Sequence, residues 1–246
     1  VPLPTFSALV PATLASRRDV ARDQIEIQLE VPASLRARHE RPGQFVKVAV
    51  TGQDGLGHEG VFAMWNAPHD ASGALRFLLR TNNPEGGEAA ARLASMPLGG
   101  ALLVSEPAGS GFDLARARGR HLAFVATGTA IAPVHAGIEH ALDRAAGAID
   151  LSLDLGLRSP AHLANGPDLE RQRARGLEVH LHYSEPSADG TVVGALAHEA
   201  LLARLLERGT AKDTFVVAVG QPAMVKELRA RLVALGGEAA DVISNY

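Results

Sequence analysis

The hydrophobic pattern of this chain changes period near Gly119, and that change limits the fold more than any single motif does. Before it, apolar and polar residues alternate in short pieces at 25–31, 45–50, 60–65, 75–81 and 101–105. Turn formers such as Arg41-Pro42-Gly43 and Asp70-Ala71-Ser72-Gly73 divide the pieces, which predicts an antiparallel β-barrel. One helix is expected to interrupt it at 88–95, entered through Pro84-Glu85-Gly86-Gly87. Beyond Gly119, continuous apolar strands at 121–126, 149–157, 177–183 and 214–219 take turns with helical stretches at 133–146, 163–175, 195–208 and 223–235. Strands without a polar side need cover on both faces, so this half predicts an α/β domain on a parallel sheet. The expected division is a barrel over 1–114 and an α/β domain over 115–246, hinged through 113–120.

At 246 residues with 46% apolar side chains, the chain has material for two packed cores. Its formal net charge of -3 gives no basic face for nucleic acid. Cysteine is absent, which excludes disulfides, thiolate zinc sites, cysteine-ligated iron–sulfur clusters and a cysteine nucleophile. That absence suits a cytoplasmic or other soluble intracellular compartment, and no stretch from Val1 onward reads as a leader or a membrane span. His180 and His182 share a strand face with no acidic or histidine partner legible nearby, and His135 and His140 lie five apart on a helix, so no metal site is expected. Ser110 lies between two turn glycines, outside any Gly-x-Ser-x-Gly nucleophile pattern.

The junction Val125-Ala126-Thr127-Gly128-Thr129-Ala130-Ile131-Ala132-Pro133 ends an apolar strand at small residues and opens a helix. In an open α/β sheet, such a junction aims backbone N–H groups and the positive end of a helix at a ligand. A pyrophosphate or a nicotinamide amide suits it.

Together with Arg41-Pro42-Gly43-Gln44-Phe45, Glu106-Pro107-Ala108-Gly109-Ser110-Gly111-Phe112 and Val219-Gly220-Gln221-Pro222-Ala223-Met224, this junction makes the chain resemble the ferredoxin–NADP reductase superfamily. The resemblance implies FAD on the barrel, NAD(P)H on the α/β domain, hydride transfer between them and an electron-transfer protein as partner. It places Phe62, Ala63, Met64, Trp65 and Asn66 along the flavin, and Gly86, Gly87 and Glu88 at the flavin pyrophosphate. Gly128, Thr129, Ala130, Pro133, Val219, Gly220, Gln221 and Met224 fall at the nicotinamide nucleotide. Arg158 falls on the adenosine side. Ser184 and Thr191 stand where NADP-dependent relatives carry basic residues, which favours NAD(H) over NADP(H). Tyr246 falls where some relatives end in an aromatic ring over the flavin.

The chain also departs from the family. The flavin signature Arg-x-Tyr-Ser reads Gly60-Val61-Phe62-Ala63, so both polar anchors are missing. A hydrogen bond to a charged group is worth ~1.5–3 kcal/mol and a neutral one ~0.5–1.5. Losing both weakens flavin binding by roughly 30- to 2000-fold. Phe62 and Trp65 have core or domain-interface packing as their competing role, and Glu88 has that of complementing a helix dipole. The family's active-site cysteine is replaced by Val219, and no residue is assigned to catalysis. The alternative reading is a reductase-like binding or regulatory protein that has lost flavin binding or catalysis.

Overall fold

The computed structural model describes residues 9–51, 57–68, 70–82, 87–144, 150–164, 166–185 and 195–245. The first half forms β1 (Val10–Ala21), β2 (Gln24–Glu30), a short α1 (Ala33–Arg36), β3 (Phe45–Thr51), β4 (Gly57–Ala63), β5 (Ala74–Arg80), α2 (Gly87–Ser95) and β6 (Ala101–Val104). Its strands make one antiparallel sheet in the order β4-β3-β6-β1-β2-β5. Period-two alternation sends Val46, Val48 and Val50 into a core with Leu14, Ile27, Leu29 and Phe77, and α2 closes that core with Ala89 and Leu93. The end strands β4 and β5 share no ladder among the described residues. Instead the Phe62 and Phe77 rings meet edge to face at 6.3 Å, so side chains join the two ends of the curled sheet.

The second half forms β7 (His121–Thr127), α3 (Ile131–Arg144), β8 (Leu151–Leu157), α4 (Gly166–Ala174), β9 (Leu177–Tyr183), α5 (Ala197–Arg208), β10 (Thr214–Val219), α6 (Pro222–Ala234) and a two-residue β11 (Val242–Ile243). All its pairings are parallel, in the order β11-β10-β7-β8-β9. Phe124 and Ala126 face α3 and α4, whereas Ala123 and Val125 face α5 and α6, which explains the unbroken apolar strands. Successive strands run outward from β7 to one edge and then restart with β10 on its other side. The switch point therefore lies between β7 and β10.

Trp65, Leu78 and Phe112 from the first half pack into the core on the α3 side of the parallel sheet, so the two halves share apolar contact. Arg22 N–H also donates to the Ala161 carbonyl at 2.8 Å, tying the β1–β2 turn to the loop after β8. Among the described residues, no helix is long and apolar enough to cross a membrane.

Candidate functional site

A cavity of about 610 Å³ opens at the C-terminal ends of β7, β8, β9 and β10. Two strand-to-helix turns meet there. Thr127 ends β7, and a 3-10 turn at Gly128–Ala130 leads into α3. Val219 ends β10, and Gly220 with Gln221 leads into α6, whose first residue Pro222 needs no N–H partner there.

Gly220 is set at φ +155°, and a Cβ on it would lie 2.4 Å from Thr127 Oγ1 and 3.0 Å from Met224 Cε. The two turns are in direct contact because one of them has no side chain. Gly220→Ala is expected to destabilise the protein by about 1–3 kcal/mol through backbone strain alone. A urea midpoint equal to wild type would contradict this.

Of the residues expected at the nucleotide, Gly128, Thr129, Ala130, Gly220, Gln221 and Met224 line this cavity, and so does Arg158 at its rim. Pro133 and Val219 are buried just behind it. Arg158 pairs with Glu185 at 3.4 Å, so its charge is already partnered. Thr191, Gly86 and Tyr246 lie outside the described residues.

The residues expected along a flavin do not gather at the cavity. Met64 is fully buried in the first core, and Phe62 packs on the same core. The Phe62 ring folds over Gly60, where a Cβ would lie 2.8 Å from it. Asn66 is buried, donating to Ala74 O and accepting from Arg76 N–H, each at 3.0 Å. Trp65 is 3% exposed and stacks on His135 of α3 with centroids 4.2 Å apart. Glu88 is exposed and pairs with His58 at 2.8 Å and Arg92 at 3.7 Å. Gly87 has open space around it, and Ala63 presents only a methyl group. A resident flavin held in the family's manner does not fit these residues: Gly60 supplies no cation, Ala63 no hydroxyl, and Phe62 occupies the space an arginine at position 60 would enter.

Two ionic clusters brace the second half, and one of them includes His182 of the cavity wall. His135 donates from Nδ1 to the Trp65 carbonyl at 3.1 Å, and its Nε2 lies 3.4 Å from Asp168. His135 and Arg171 hold the Asp168 carboxyl well below the usual carboxylate range. Asp154 is fully buried between His182 at 2.9 Å and Arg204 at 2.6 Å. His180 faces Glu178 at 3.1 Å. Both strand histidines thus have acidic partners, contrary to the sequence expectation; those partners come from a neighbouring strand and from two residues earlier on the same strand.

His198, Glu199 and Glu227 also bring a ring nitrogen and two carboxylates within 4.8 Å of one another, a grouping of α5 with α6 that the sequence reading lacked. Arg231 lies 3.3 Å from Glu227 and 3.9 Å from Glu199, so a guanidinium already balances these carboxylates. No metal is assigned to the cluster.

Residues 124–230 match the family model of the oxidoreductase NAD-binding domain. The fold is that of the ferredoxin–NADP reductase-type oxidoreductases. No curated protein matches the sequence. Among solved structures, the flavohem-like FAD/NAD-binding domain of nitric oxide dioxygenase from Vibrio cholerae O1 biovar El Tor superposes with TM-score 0.77 at 16% identity, over 95% of this chain and 96% of that one. A ferredoxin NADP+ reductase from Neisseria gonorrhoeae, with bound FAD and NADP, gives TM-score 0.77 at 17% identity over 97% and 98%. Flavohemoglobin from Malassezia yamatoensis gives 0.75 at 18% identity, and the chain, covered over 96%, spans 59% of its length. In this reductase-type fold the cavity wall also includes Gln24 and Arg80 from the first sheet, His162 from the 3-10 turn after β8 and His182 from β9. The sequence reading named none of these four as nucleotide contacts.

Proposed function

We propose that this chain is an NAD(H)-dependent oxidoreductase. The dinucleotide lies across the ends of β7, β8 and β10, and its hydride goes to a flavin met as an exchangeable substrate. The observation that carries the reading is the convergence of two glycine-bearing strand-to-helix turns on one cavity at the switch point. The Gly128–Ala130 turn and the start of α3 present N–H groups to a phosphate or a carboxamide. Gly220 lets Thr127 close against the β10 turn and so brings the two turns to one ligand, while Val219 packs there and moves no proton.

NAD(H) is preferred to NADP(H) because Glu185 beside Arg158 accepts from a ribose hydroxyl and repels a 2′-phosphate. Reduced nicotinamide supplies a hydride, and the chain's contribution is to position the reactants ~3–3.5 Å apart.

The test is an absorption spectrum of the purified protein, repeated after FAD and then after anaerobic NADH or NADPH. The expected result is a protein without flavin bands that binds NADH and bleaches added FAD faster with NADH than with NADPH. Failure to bind either nucleotide overturns the reading. A protein that binds NADH and leaves FAD oxidised is instead a nucleotide-binding module on a reductase-type fold.

A further inference from the structure

The contact between the two halves contains one buried histidine whose ring nitrogens both face acceptors. His135 of α3 is 3% exposed, and its ring stacks on the Trp65 indole with the planes 19° apart. Its Nδ1 meets the Trp65 carbonyl at 3.1 Å; a carbonyl can only accept, so Nδ1 carries hydrogen. Its Nε2 faces carboxylate oxygens of Asp168 at 3.4 Å and Glu139 at 3.8 Å, which also only accept when ionised. Glu139 Oε1 already takes Gln172 at 2.8 Å and Arg171 at 3.1 Å. Asp168 divides its oxygens: Oδ1 takes Arg171 at 2.7 Å, and Oδ2 has the His135 ring.

A neutral imidazole has one N–H and cannot serve both ends, whereas an imidazolium donates at both. The neutral ring, bonded to Trp65, would point a bare lone pair at Asp168 from a buried atom with no other hydrogen-bond partner. Charge on the ring also strengthens its stack on the indole face. A cavity of about 420 Å³, lined by both halves and by His135, gives the ring's proton a way to solvent. Around the ring and this cavity stand Glu139, His140, Asp143 and Arg144 from α3, Asp168 and Arg171 from α4, and Asp70 and Arg76 from the first half. Arg175 pairs with Glu139 and Asp143, and Arg76 with Glu26. Carboxylates and guanidiniums do not ordinarily titrate near neutrality, which leaves the two histidines as the groups whose charge changes there.

We infer that His135 is a proton-operated latch between the two halves. Protonated, it ties the Trp65 carbonyl of the first half to Asp168 of α4; neutral, it holds only one of them. His135 and Arg171 keep the Asp168 carboxyl well below the usual carboxylate range, so Asp168 is charged whenever the ring can change. A carboxylate held down in this way stabilises the fold above its ordinary range and loses that contribution on acidification. The latch is therefore complete at mildly acid pH and releases as pH rises through the histidine range, about 5 to 8. His135 lies on the helix that the Gly128–Ala130 turn opens, so the latch also steadies that turn against the first sheet.

Trp65 is the only tryptophan, and a protonated imidazole stacked on an indole quenches its emission, so fluorescence against pH tests the latch. Wild type is expected to brighten as pH rises through about 5 to 8, in a transition that His135→Gln loses and His140→Gln keeps. Asp168→Asn is expected to move the midpoint down by about one pH unit, as losing an opposite charge at this distance does. The advantage of wild type over His135→Gln in urea midpoint is expected to shrink across the same range. Asp168 is only partly buried, so its variant decides the matter if His135→Gln does not fold. A wild type without the transition, or a transition that survives in His135→Gln, overturns the latch. A transition lost in His140→Gln, or a midpoint unmoved in Asp168→Asn, overturns it as well.

Discussion

Asp154→Ala is expected to destabilise the protein by about 3 kcal/mol, the lower end of what breaking a buried ion pair costs. The carboxylate is fully buried, and each oxygen has its own partner, His182 on β9 and Arg204 on α5. Alanine would leave the Arg204 guanidinium, 20% exposed, without its counter-charge against the underside of the parallel sheet. Water reaches part of that guanidinium and offsets some of the loss.

His182 lines the cavity, so the same change also frees its ring at the cavity wall. Urea denaturation reads the stability term, and NADH titration of the folded variant reads the other. Combining Asp154→Leu with Arg204→Met should recover most of the stability, because both charges then leave together. A midpoint shift worth less than about 1 kcal/mol for Asp154→Ala would mean that Arg204 is satisfied by solvent and the pair is incidental.

The elements most legible in the sequence were those whose side chains report burial on both faces. Strand β10 falls where its continuous apolar run predicts it, the partly buried edge strand β9 keeps its expected bounds, and α5 and α6 begin within two residues of expectation. Strand β1 was absent from the reading because Ser16, Arg17, Arg18 and Asp19 interrupt its alternation, and its pairing with β2 is itself irregular. Helix α3 starts earlier than the proline suggested, since the small residues before it wind into a 3-10 turn.

The two glycine-bearing turns at the cavity were legible for a local reason: a strand must stop at small residues for a backbone to meet a ligand. The first-sheet wall was not, because alternation divides a strand into two faces without saying which face a neighbouring domain covers. Phe62 and Met64 share the core face of β4 and its extension, while Trp65 lies on the other face and meets α3. Cross-strand partners such as Gln24 with Arg80 depend on register, and so does the diagonal from His182 to Asp154.

Trp65→Ala should destabilise the protein by about 3–5 kcal/mol, as large-to-small changes in a core do, while leaving NADH affinity close to wild type. The indole is 3% exposed, stacks on the His135 ring at 4.2 Å and belongs to the core shared by the two halves. Its removal leaves a void that the sheet and α3 close only by moving. The His135 bond to the Trp65 carbonyl is a backbone contact and survives the change.

Because Trp65 is the only tryptophan in the chain, the variant must be followed by circular dichroism, whereas in wild type its fluorescence reports this interface directly. Trp65→Phe keeps a stacking ring and should cost much less. NADH affinity is the discriminating readout, since Trp65 does not line the cavity at the ends of β7 to β10. A variant with wild-type stability and altered FAD affinity would mark the indole as ligand surface. Loss of stability with nucleotide binding intact would mark it as the packing that holds α3 against the first sheet.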